Sequence, residues 1–440
     1  MCGITGFISL ELNRNLLNET ANYMSQKLFH RGPDDHGIWC DQEIGIALAH
    51  RRLSIIDLTK NGHQPMISHC ERFCIVFNGE IYNHLSLRKE LPDSIIWDGY
   101  SDTETLLNSI SYWGIKKTLT KIVGMFAFAI WDRNLKKLTL VRDRMGEKPL
   151  YFGTKGKTLL FGSELKAIKA FPNFSPDIDQ DSLQLYLQFG YVPAPYSIYK
   201  NIYKLMPGNL IEFSLEDIKS GRIPEVQKYW SLESIVSRQE TNPYLGSERD
   251  AIDHLNFLLK ESISGQLLGD VQIGAFLSGG LDSSTVVAIM QNLSSKPINT
   301  FSVGFNEFGY DESKKAKRIS SFLGTNHNEI FISASEAFKI IPLIPEIYDE
   351  PFADVSQIPT FILSKFASNK VKVCLSGDGG DELFCGYYRQ IIGPKIWQIL
   401  NKIPIPLKRL IASFINYLPP TTWDNFYYFC EAIIPKQLRI

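Results

Sequence analysis

The chain changes its secondary-structure rhythm near residue 215, and this change limits which folds it can adopt. Before that point, short β-like runs such as FCIVFNGEIYN, MFAFAIWD and KLTLVRD alternate with Gly, Asn and Asp turn signals. Two helix-like stretches interrupt them, LLNETANYMSQKLF and the segment from Asp102 to Trp113. Because sheets bury one face under helices, residues 1–214 are predicted to form a layered α+β domain.

The second half of the chain has a different pattern. Residues 215–249 are polar and irregular, and we predict that they link two domains. From Ala251 onward, helix-like stretches alternate with the strand-like runs VQIGAFL, INTFSVGF and VKVCL. Such alternation predicts a mainly parallel sheet with ligands at the carboxyl ends of its strands. Residues 250–440 are therefore predicted to form an α/β domain.

Charge and cysteine content restrict the partners and the compartment. Lys plus Arg total 46 against 47 for Asp plus Glu, so the net charge of −1 favours neither a nucleic-acid nor a membrane partner. No apolar run reaches the ~20 residues that cross a bilayer, and the start of the chain lacks a secretory pattern. Seven cysteines stand without a framework spacing, which predicts a reducing, cytoplasmic location. Cys70 and Cys74, near His63 and His69, lack the paired spacing of a zinc site.

Cys2 is the first candidate reaction centre. It follows the initiator methionine in MCGITGF, and a small second residue allows that methionine to be removed. Cys2 would then carry a thiol and a free α-amine with a pKa of ~7.7–8.0, which suits the amine to act as base for its own thiol. This arrangement favours acyl transfer through a thioester. A cysteine that stands at position 2 by chance is the alternative.

The string SGGLDSS, residues 278–284, is the second candidate centre. It follows a buried-looking strand and opens a helix-like run. Gly279 and Gly280 permit close backbone approach, the helix N-terminus attracts phosphate, and the hydroxyls of Ser278, Ser283 and Ser284 can reach its oxygens. Asp282 is suited to hold Mg²⁺. The sequence predicts a nucleotide site, with a plain strand-to-helix turn as the alternative.

A similar loop, SGDGGDE, follows the strand-like run VKVCL. Carboxyl ends of parallel strands meet at one sheet edge, so Asp378 and Asp381 are expected near the same phosphates. Acidic residues beside a nucleotide indicate magnesium, and Asp282 and Asp381 are the predicted ligands. The alternative is an exposed acidic turn.

Motifs along nearly the whole chain resemble one family. They read MCGITGF, HRGPDDHG, AHRRLSIIDL, FNGEIYNH, SDTE, GMFAFAIWD, RDRMGEKPLYF, SELKAI, LSGGLDSS, TFSVGF, DEPFADVSQIP and LSGDGGDELFCGY. In this order and combination the chain resembles the glutamine-dependent asparagine synthetases. The resemblance implies an α+β N-terminal-nucleophile glutaminase, an αββα sandwich, followed by an α/β parallel-sheet ATP-pyrophosphatase domain.

The resemblance assigns roles in a glutaminase site. It implies that Cys2 attacks the glutamine side-chain amide, and that the Asn78 side chain and the Gly79 amide stabilise the oxyanion. Arg52 matches the residue that pairs with the glutamine α-carboxylate. Asp102 and Glu80 match the residues that receive the α-ammonium and the neighbouring amide. Asn-Gly is also the strongest short hairpin signal, so FNGE is open to a turn interpretation as well.

In the second domain, the resemblance implies that ATP activates aspartate as aspartyl-AMP, releasing pyrophosphate, and that ammonia then displaces AMP to give asparagine. Leu277, Val303 and Gly377 match nucleotide-contacting positions, with Ser376 beside the phosphates. Asp378 takes a position important for adenylation, where relatives often carry glutamate. The implied cofactors and partners are ATP, Mg²⁺, glutamine, aspartate and a second copy in a homodimer.

The resemblance is incomplete at the end of the chain. The family continues past the position of Ile440, with a lysine near the phosphates and a stretch resembling E-x-R-x-P-F-L-D, so the second domain is predicted to be incomplete. Two alternatives to asparagine synthesis stay open. One is amidation of another carboxylate, such as a sugar acid or peptide, and the other is a truncated glutaminase without synthetase activity.

Overall fold

The computed structural model describes residues 1–305 and 312–430, with side chains to residue 426. It divides into two compact units, Met1–Ser376 and Gly377–Ile440, which we describe separately. Within the described residues no helix is long and apolar enough to cross a membrane.

The described residues form 16 strands, 18 α-helices and four short 3-10 helices. The strands are β1 (Gly3–Ser9), β2 (Asp35–Asp41), β3 (Ile46–Arg52), β4 (Met66–Ile67), β5 (Phe73–Ile81), β6 (Gly124–Asp132), β7 (Lys137–Arg142), β8 (Tyr151–Lys155), β9 (Thr158–Gly162), β10 (Ile202–Lys204), β11 (Asn209–Ser214), β12 (Gln227–Lys228), β13 (Ile273–Phe276), β14 (Asn299–Phe305), β15 (Asn326–Ile332) and β16 (Val373–Leu375). The α-helices are α1 (Leu17–Gln26), α2 (His84–Glu90), α3 (Asp102–Trp113), α4 (Ile115–Lys121), α5 (Leu165–Lys169), α6 (Gln180–Phe189), α7 (Leu215–Ser220), α8 (Leu232–Thr241), α9 (Glu248–Gln266), α10 (Leu281–Leu293), α11 (Ser313–Leu323), α12 (Ala334–Ile340), α13 (Ile344–Ile347), α14 (Gln357–Ala367), α15 (Gly380–Phe384), α16 (Tyr388–Asn401), α17 (Ile405–Tyr417) and α18 (Pro420–Cys430). The 3-10 helices are Arg14–Leu16, Phe29–Arg31, Lys60–Gly62 and Ile341–Leu343.

Two six-stranded antiparallel sheets form a sandwich in the first 230 residues. Their strand orders are β10-β8-β9-β1-β3-β2 and β12-β11-β7-β6-β5-β4. Side chains from both sheets, among them Ile4, Leu48, Trp131 and Phe213, form the central core. Helices α1, α5 and α6 cover the outer face of the first sheet, and α2, α3 and α4 cover that of the second. Because both faces are covered, the predicted αββα sandwich of the N-terminal-nucleophile type is confirmed.

A four-stranded parallel sheet follows, in the order β15-β14-β13-β16. Ala275, Val287 and Met290 belong to a core between this sheet and its helices. The predicted α/β parallel-sheet domain is therefore confirmed. The segment predicted to be irregular contains α7 and α8, because Ser214 and Ser231 cap these helices by accepting hydrogen bonds from the backbone of the first turn.

The second unit contains α15, α16, α17 and α18. Residues 391–417 are rich in apolar side chains and form most of α16 and all of α17. Trp397, Leu410 and Tyr417 are largely exposed there.

Candidate active site

Cys2 lies immediately before the buried strand β1. Its Sγ accepts a hydrogen bond from the Leu53 backbone N–H at 3.4 Å and lies 3.7 Å from the Leu53 carbonyl oxygen. Burial raises the pKa of the Cys2 thiol, while the neighbouring amino terminus acts in the opposite direction. The thiol therefore needs a base close by before it can act as a nucleophile.

Asn78 lines the same cleft as Cys2. Its side chain is fully buried, and neither Oδ1 nor Nδ2 has a hydrogen-bond partner among the described residues. An unsatisfied buried polar group costs about 1–3 kcal/mol, so a carboxamide left in this state needs a functional explanation. An oxyanion bound in the cleft would accept a hydrogen bond from the Nδ2 amide.

Gly79 also lines this cleft, and its surroundings exclude a side chain. A Cβ at this position would lie 2.3 Å from the Met125 carbonyl oxygen on β6. Asn78 and Gly79 stand inside β5, paired with Ala127 and Phe126. The hairpin interpretation of FNGE is therefore wrong, because β5 continues through the Asn-Gly pair and carries both residues to the cleft.

Arg52, at the end of β3, presents a buried cation to the cleft. Its guanidinium donates to the carbonyl oxygens of Thr59 at 3.0 Å, Ile56 at 3.3 Å and Asp57. In the part of the chain that the structure describes, no carboxylate forms an ion pair with Arg52. Backbone carbonyls thus hold the guanidinium in place while its charge is left for a carboxylate ligand.

Two carboxylates face the same cleft, and both are buried. Asp102, at the start of α3, accepts hydrogen bonds from the amides of Ile81 and Thr103, both at 2.9 Å. Burial raises the pKa of Asp102 to about 6. Burial, reinforced by the charge of Asp102, raises the pKa of Glu80 to about 7. With Arg52, these carboxylates make a site of mixed charge that complements the zwitterionic end of an amino acid.

The structure adds two residues that sequence reasoning missed. Lys148 lines the cleft and is only 4% exposed, and burial lowers its pKa. Its position inside the motif RDRMGEKPLYF was the available signal. Gln64 joins β5 to α3, since its Oε1 accepts from the Phe77 amide at 2.7 Å and its Nε2 donates to Thr103 Oγ1 at 3.2 Å. No local pattern marked Gln64.

The titration of Asp102 gives a pH prediction. The α-ammonium of an amino acid binds best to an ionised carboxylate, so KM for glutamine is expected to fall as pH rises through about 6. Because the folded pKa is raised, the same ionisation lowers stability as pH rises from the unfolded value toward 6. Asp102→Asn should raise KM and remove its pH step, whereas the exposed Asp93→Asn should keep it. Steady-state kinetics across this pH range provides the check, and a step that persists in Asp102→Asn would contradict the assignment.

The predicted nucleotide loop lies between β13 and α10, at the carboxyl edge of the parallel sheet. Leu277 is buried, and the Ser278 and Ser283 hydroxyl oxygens lie 3.0 Å apart. Gly280 is the N-cap of α10 and makes no side-chain hydrogen bond there, and a helix N-terminus favours a bound anion. Val303 lies near the carboxyl end of β14, and Ser376 directly follows β16. The structure brings these strand ends to one edge.

The predicted magnesium ligands fall on different parts of the chain. Asp282 lies in the first turn of α10, where a carboxylate beside a phosphate loop suits Mg²⁺. Gly377, Asp378 and Asp381 belong to the second unit, where α15 begins at Gly380. Their approach to the ligand of the first loop stays a prediction.

Gly279 is required by its conformation and by a neighbouring helix. Its φ is +85°, and a Cβ would lie 2.7 Å from Lys315 Cβ and 2.9 Å from the Ala316 nitrogen on α11. Gly279→Ala is expected to destabilise this part of the fold by ~1–3 kcal/mol. Gly280→Ala is the control, because its φ is −74° and the nearest atom is Ser278 Oγ at 3.3 Å. Chemical denaturation should show a lower midpoint for Gly279→Ala only, and equal midpoints would contradict the packing argument.

A cysteine beside the first strand of an N-terminal-nucleophile sandwich, in a chain that continues into a parallel-sheet domain, fits the class of two-domain glutamine amidotransferases. The family profile described as "Glutamine amidotransferase domain" matches residues 1–230, and the one described as "Asparagine synthase" matches residues 254–432. The chain belongs to the family of glutamine-hydrolysing asparagine synthetases, which are ligases.

Two sequence relatives agree with this membership. A Methanocaldococcus jannaschii protein, provisionally named asparagine synthetase [glutamine-hydrolyzing] 2, is 36% identical to this chain. The match covers 94% of this chain and 83% of the length of that relative. Asparagine synthetase [glutamine-hydrolyzing] 1 of Bacillus subtilis is 35% identical over 95% of this chain, which spans 64% of that relative. Among solved structures, glutamine phosphoribosylpyrophosphate amidotransferase of B. subtilis matches 80% of this chain and 94% of its own, with 13% identity and a TM-score of 0.40.

Proposed function

We propose that this chain makes asparagine from aspartate, with ATP as the energy source and ammonia from glutamine. The observation that carries the proposal is the orphaned Asn78 carboxamide, which lines one cleft together with Cys2, the cation of Arg52 and the carboxylate of Asp102. This cleft can hold glutamine by both charged groups and stabilise an oxyanion at its other end.

In the first reaction, Cys2 acts on bound glutamine after removal of Met1. The α-amine of Cys2 takes the thiol proton, and Sγ attacks the side-chain amide carbon. The tetrahedral oxyanion accepts hydrogen bonds from Asn78 Nδ2 and the Gly79 N–H. The C–N bond breaks, the amine returns its proton to the leaving ammonia, and water then hydrolyses the thioester to glutamate.

In the second reaction, a carboxylate oxygen of aspartate attacks the α-phosphorus of ATP and pyrophosphate leaves. Ammonia attacks the carbonyl carbon of aspartyl-AMP, and AMP departs as asparagine forms. The loop from Leu277 to Ser283 would supply amides and hydroxyls for the phosphates, and the family resemblance implies Val303, Ser376, Gly377 and Asp378 as further nucleotide contacts. Asp282 and Asp381 would hold Mg²⁺, which neutralises phosphate charge. A homodimer and a cytoplasmic location remain parts of the proposal.

The acceptor carboxylate is tested by pyrophosphate release. With ATP, Mg²⁺ and ammonia, the purified chain should release pyrophosphate when aspartate is added and should not do so with glutamate, a sugar acid or a peptide. Release that depends on one of the other acids would overturn the choice of aspartate. No release with any acceptor, despite glutamine hydrolysis, would restrict the function to the first reaction.

A buried network connects Cys2 to the second half of the first unit. Arg31 Nε donates to the Cys2 carbonyl oxygen at 2.9 Å, and Arg31 Nη1 pairs with Glu164 at 2.7 Å. Lys166 bridges Glu164 at 2.8 Å and Asp349 at 3.2 Å. Although burial opposes ionisation, the hydrogen bond from His30 and the charge of Arg31 lower the pKa of Glu164 to about 2. The backbone of Cys2 is thereby held by a series of charged side chains that ends at Asp349.

Loss of Glu164 should misplace the nucleophile. Glu164→Gln is expected to lower kcat/KM for glutamine hydrolysis by roughly tenfold, or about 1.4 kcal/mol, because Arg31 then lacks its anionic partner. Ammonia-dependent synthesis should be unchanged. His30→Gln is the control, because His30 is exposed and contacts the same carboxylate from the solvent side. Equal loss of both activities in Glu164→Gln would show a general folding defect instead.

A further inference from the structure

We infer that His69, Asp98 and Glu104 form a binding site for a divalent transition-metal cation, with Asn108 as a fourth ligand. One ligand atom from each of the first three residues lies within 4.8 Å of the others, and His69 Nε2 is 3.2 Å from Asp98 Oδ2. Among the described residues, these three form the one group of three or more His, Cys, Asp or Glu side chains whose ligand atoms lie close enough together to hold a metal ion. The site is separate from the glutamine cleft and from the phosphate loop.

Asn108 provides an independent indication of a ligand. Its side chain is 9% exposed and lines the same pocket as the other three residues. Its carboxamide makes no hydrogen bond within residues 1–305 or 312–430. Glu104 and Asn108 are four residues apart on α3, so they lie on one helix face. The Asn108 carboxamide shares this pocket with an imidazole and two carboxylates, so its oxygen is available as a further ligand atom for an ion bound there.

The donor set identifies the class of ion. One imidazole nitrogen, two carboxylates and one amide oxygen suit Zn²⁺ or Mn²⁺ better than the all-oxygen preference of Mg²⁺. Glu104 is already oriented, since it accepts hydrogen bonds from the amides of Asp98 at 2.7 Å and Gly99 at 3.1 Å. Arg88 at 3.3 Å offsets one of the two negative charges, which leaves a net attraction for a dication.

The ligands are not those that local sequence spacing would favour. His63 pairs with Asp35 at 2.7 Å, Cys74 is buried in the core, and Cys70 Sγ lies 3.3 Å from Ser68 Oγ. Asp98 and Glu104 come from the segment that leads into α3 and from α3 itself. The site therefore arises from tertiary structure.

A bound ion would brace the loops around Arg52. The Asp98 carbonyl oxygen accepts from Asn61 Nδ2, and the Tyr100 amide donates to Asp57 Oδ2 at 3.0 Å. The Asp57 carbonyl oxygen in turn accepts from the Arg52 guanidinium. The site goes beyond the proposed function, and its expected effect is on the stability of the glutaminase sandwich.

Calorimetry with Zn²⁺ on metal-stripped protein tests the inference. The full chain is used in a Cys2→Ala background, so that the active-site thiol and amine do not compete for the metal. We expect one ion bound per chain and a raised thermal midpoint. Asn108→Ala should weaken binding at least about tenfold, His69→Ala should abolish it, and Asn108→Asp should strengthen it.

Cys70→Ser and His63→Ala serve as controls and should bind as the parent does. Loss of binding in Cys70→Ser with retention in His69→Ala would overturn the site. So would the absence of saturable binding in the micromolar range. Because Asn108→Asp should gain affinity, it separates a lost ligand from a variant that merely fails to fold.

Discussion

Replacing Cys2 with alanine is expected to abolish glutamine hydrolysis while leaving ammonia-dependent pyrophosphate release intact. Removal of an attacking nucleophile typically costs orders of magnitude in kcat, and a loss of more than ~10³-fold is expected here. Among the described residues the hydrogen bonds of Sγ are with the Leu53 backbone, at 3.4 and 3.7 Å, so the fold should tolerate the smaller side chain. Glutamate formation and pyrophosphate release are the two readouts.

The serine variant sharpens this result. Cys2→Ser replaces the thiol by a hydroxyl and keeps the α-amine, but a hydroxyl is a poorer nucleophile than a thiol, so hydrolysis should also be lost. If Cys2→Ala kept more than about one tenth of the glutaminase rate, the thioester route would be contradicted. A parallel loss of the ammonia-dependent reaction would instead show that the change disturbed both domains.

Replacing Asn78 with alanine should lower kcat for glutamine by ~10²–10³, equivalent to ~2.7–4 kcal/mol, because one oxyanion donor is lost. Stability should not fall by the amount expected for a lost buried hydrogen bond, because neither Asn78 amide atom has a partner in the described structure. Both kinetic constants and the denaturation midpoint need to be measured. The combination of large catalytic loss and little change in stability is the distinguishing result.

Asn209 supplies the matched control. It is buried on β11, and its Oδ1 also lacks a partner among the described residues, but it does not line the cleft. Asn209→Ala should leave kcat unchanged. A similar activity loss in both variants would mean that Asn78→Ala acts by disturbing the packing of the sandwich and not by removing a hydrogen-bond donor to the oxyanion.

The fold was largely predictable because its two halves have different hydrophobic patterns. The segment from Asp102 to Trp113 was expected to be helical and forms α3 with those bounds. Sequence reasoning failed where tertiary contacts decide. The Asn-Gly pair in β5 has a strong turn preference, but its pairing with β6 overrides that preference. Likewise, α7 and α8 form in a segment whose composition indicated a loop, because a serine side chain caps the first turn of each helix.

The candidate site was predictable where a motif carries the chemistry and was missed where distant segments meet. Cys2, Asn78 and Arg52 stand in motifs that the resemblance assigned, and the structure brings all three to one cleft. Gln64 reaches this cleft only through the packing of the sandwich, and Lys148 was missed although it stands in the motif RDRMGEKPLYF. The cluster around His69 joins that residue to the distant stretch from Asp98 to Asn108, so no local spacing could reveal it.

Transfer of the glutamine amide nitrogen is the most direct test of the central claim. The purified chain is supplied with ATP, Mg²⁺, aspartate and glutamine labelled with ¹⁵N in the amide, and products are analysed by mass spectrometry. We expect ¹⁵N-asparagine, formed together with AMP and pyrophosphate, from the native chain and no ¹⁵N-asparagine from Cys2→Ala. Glutamine hydrolysis that yields labelled ammonia but no labelled asparagine would contradict the central claim.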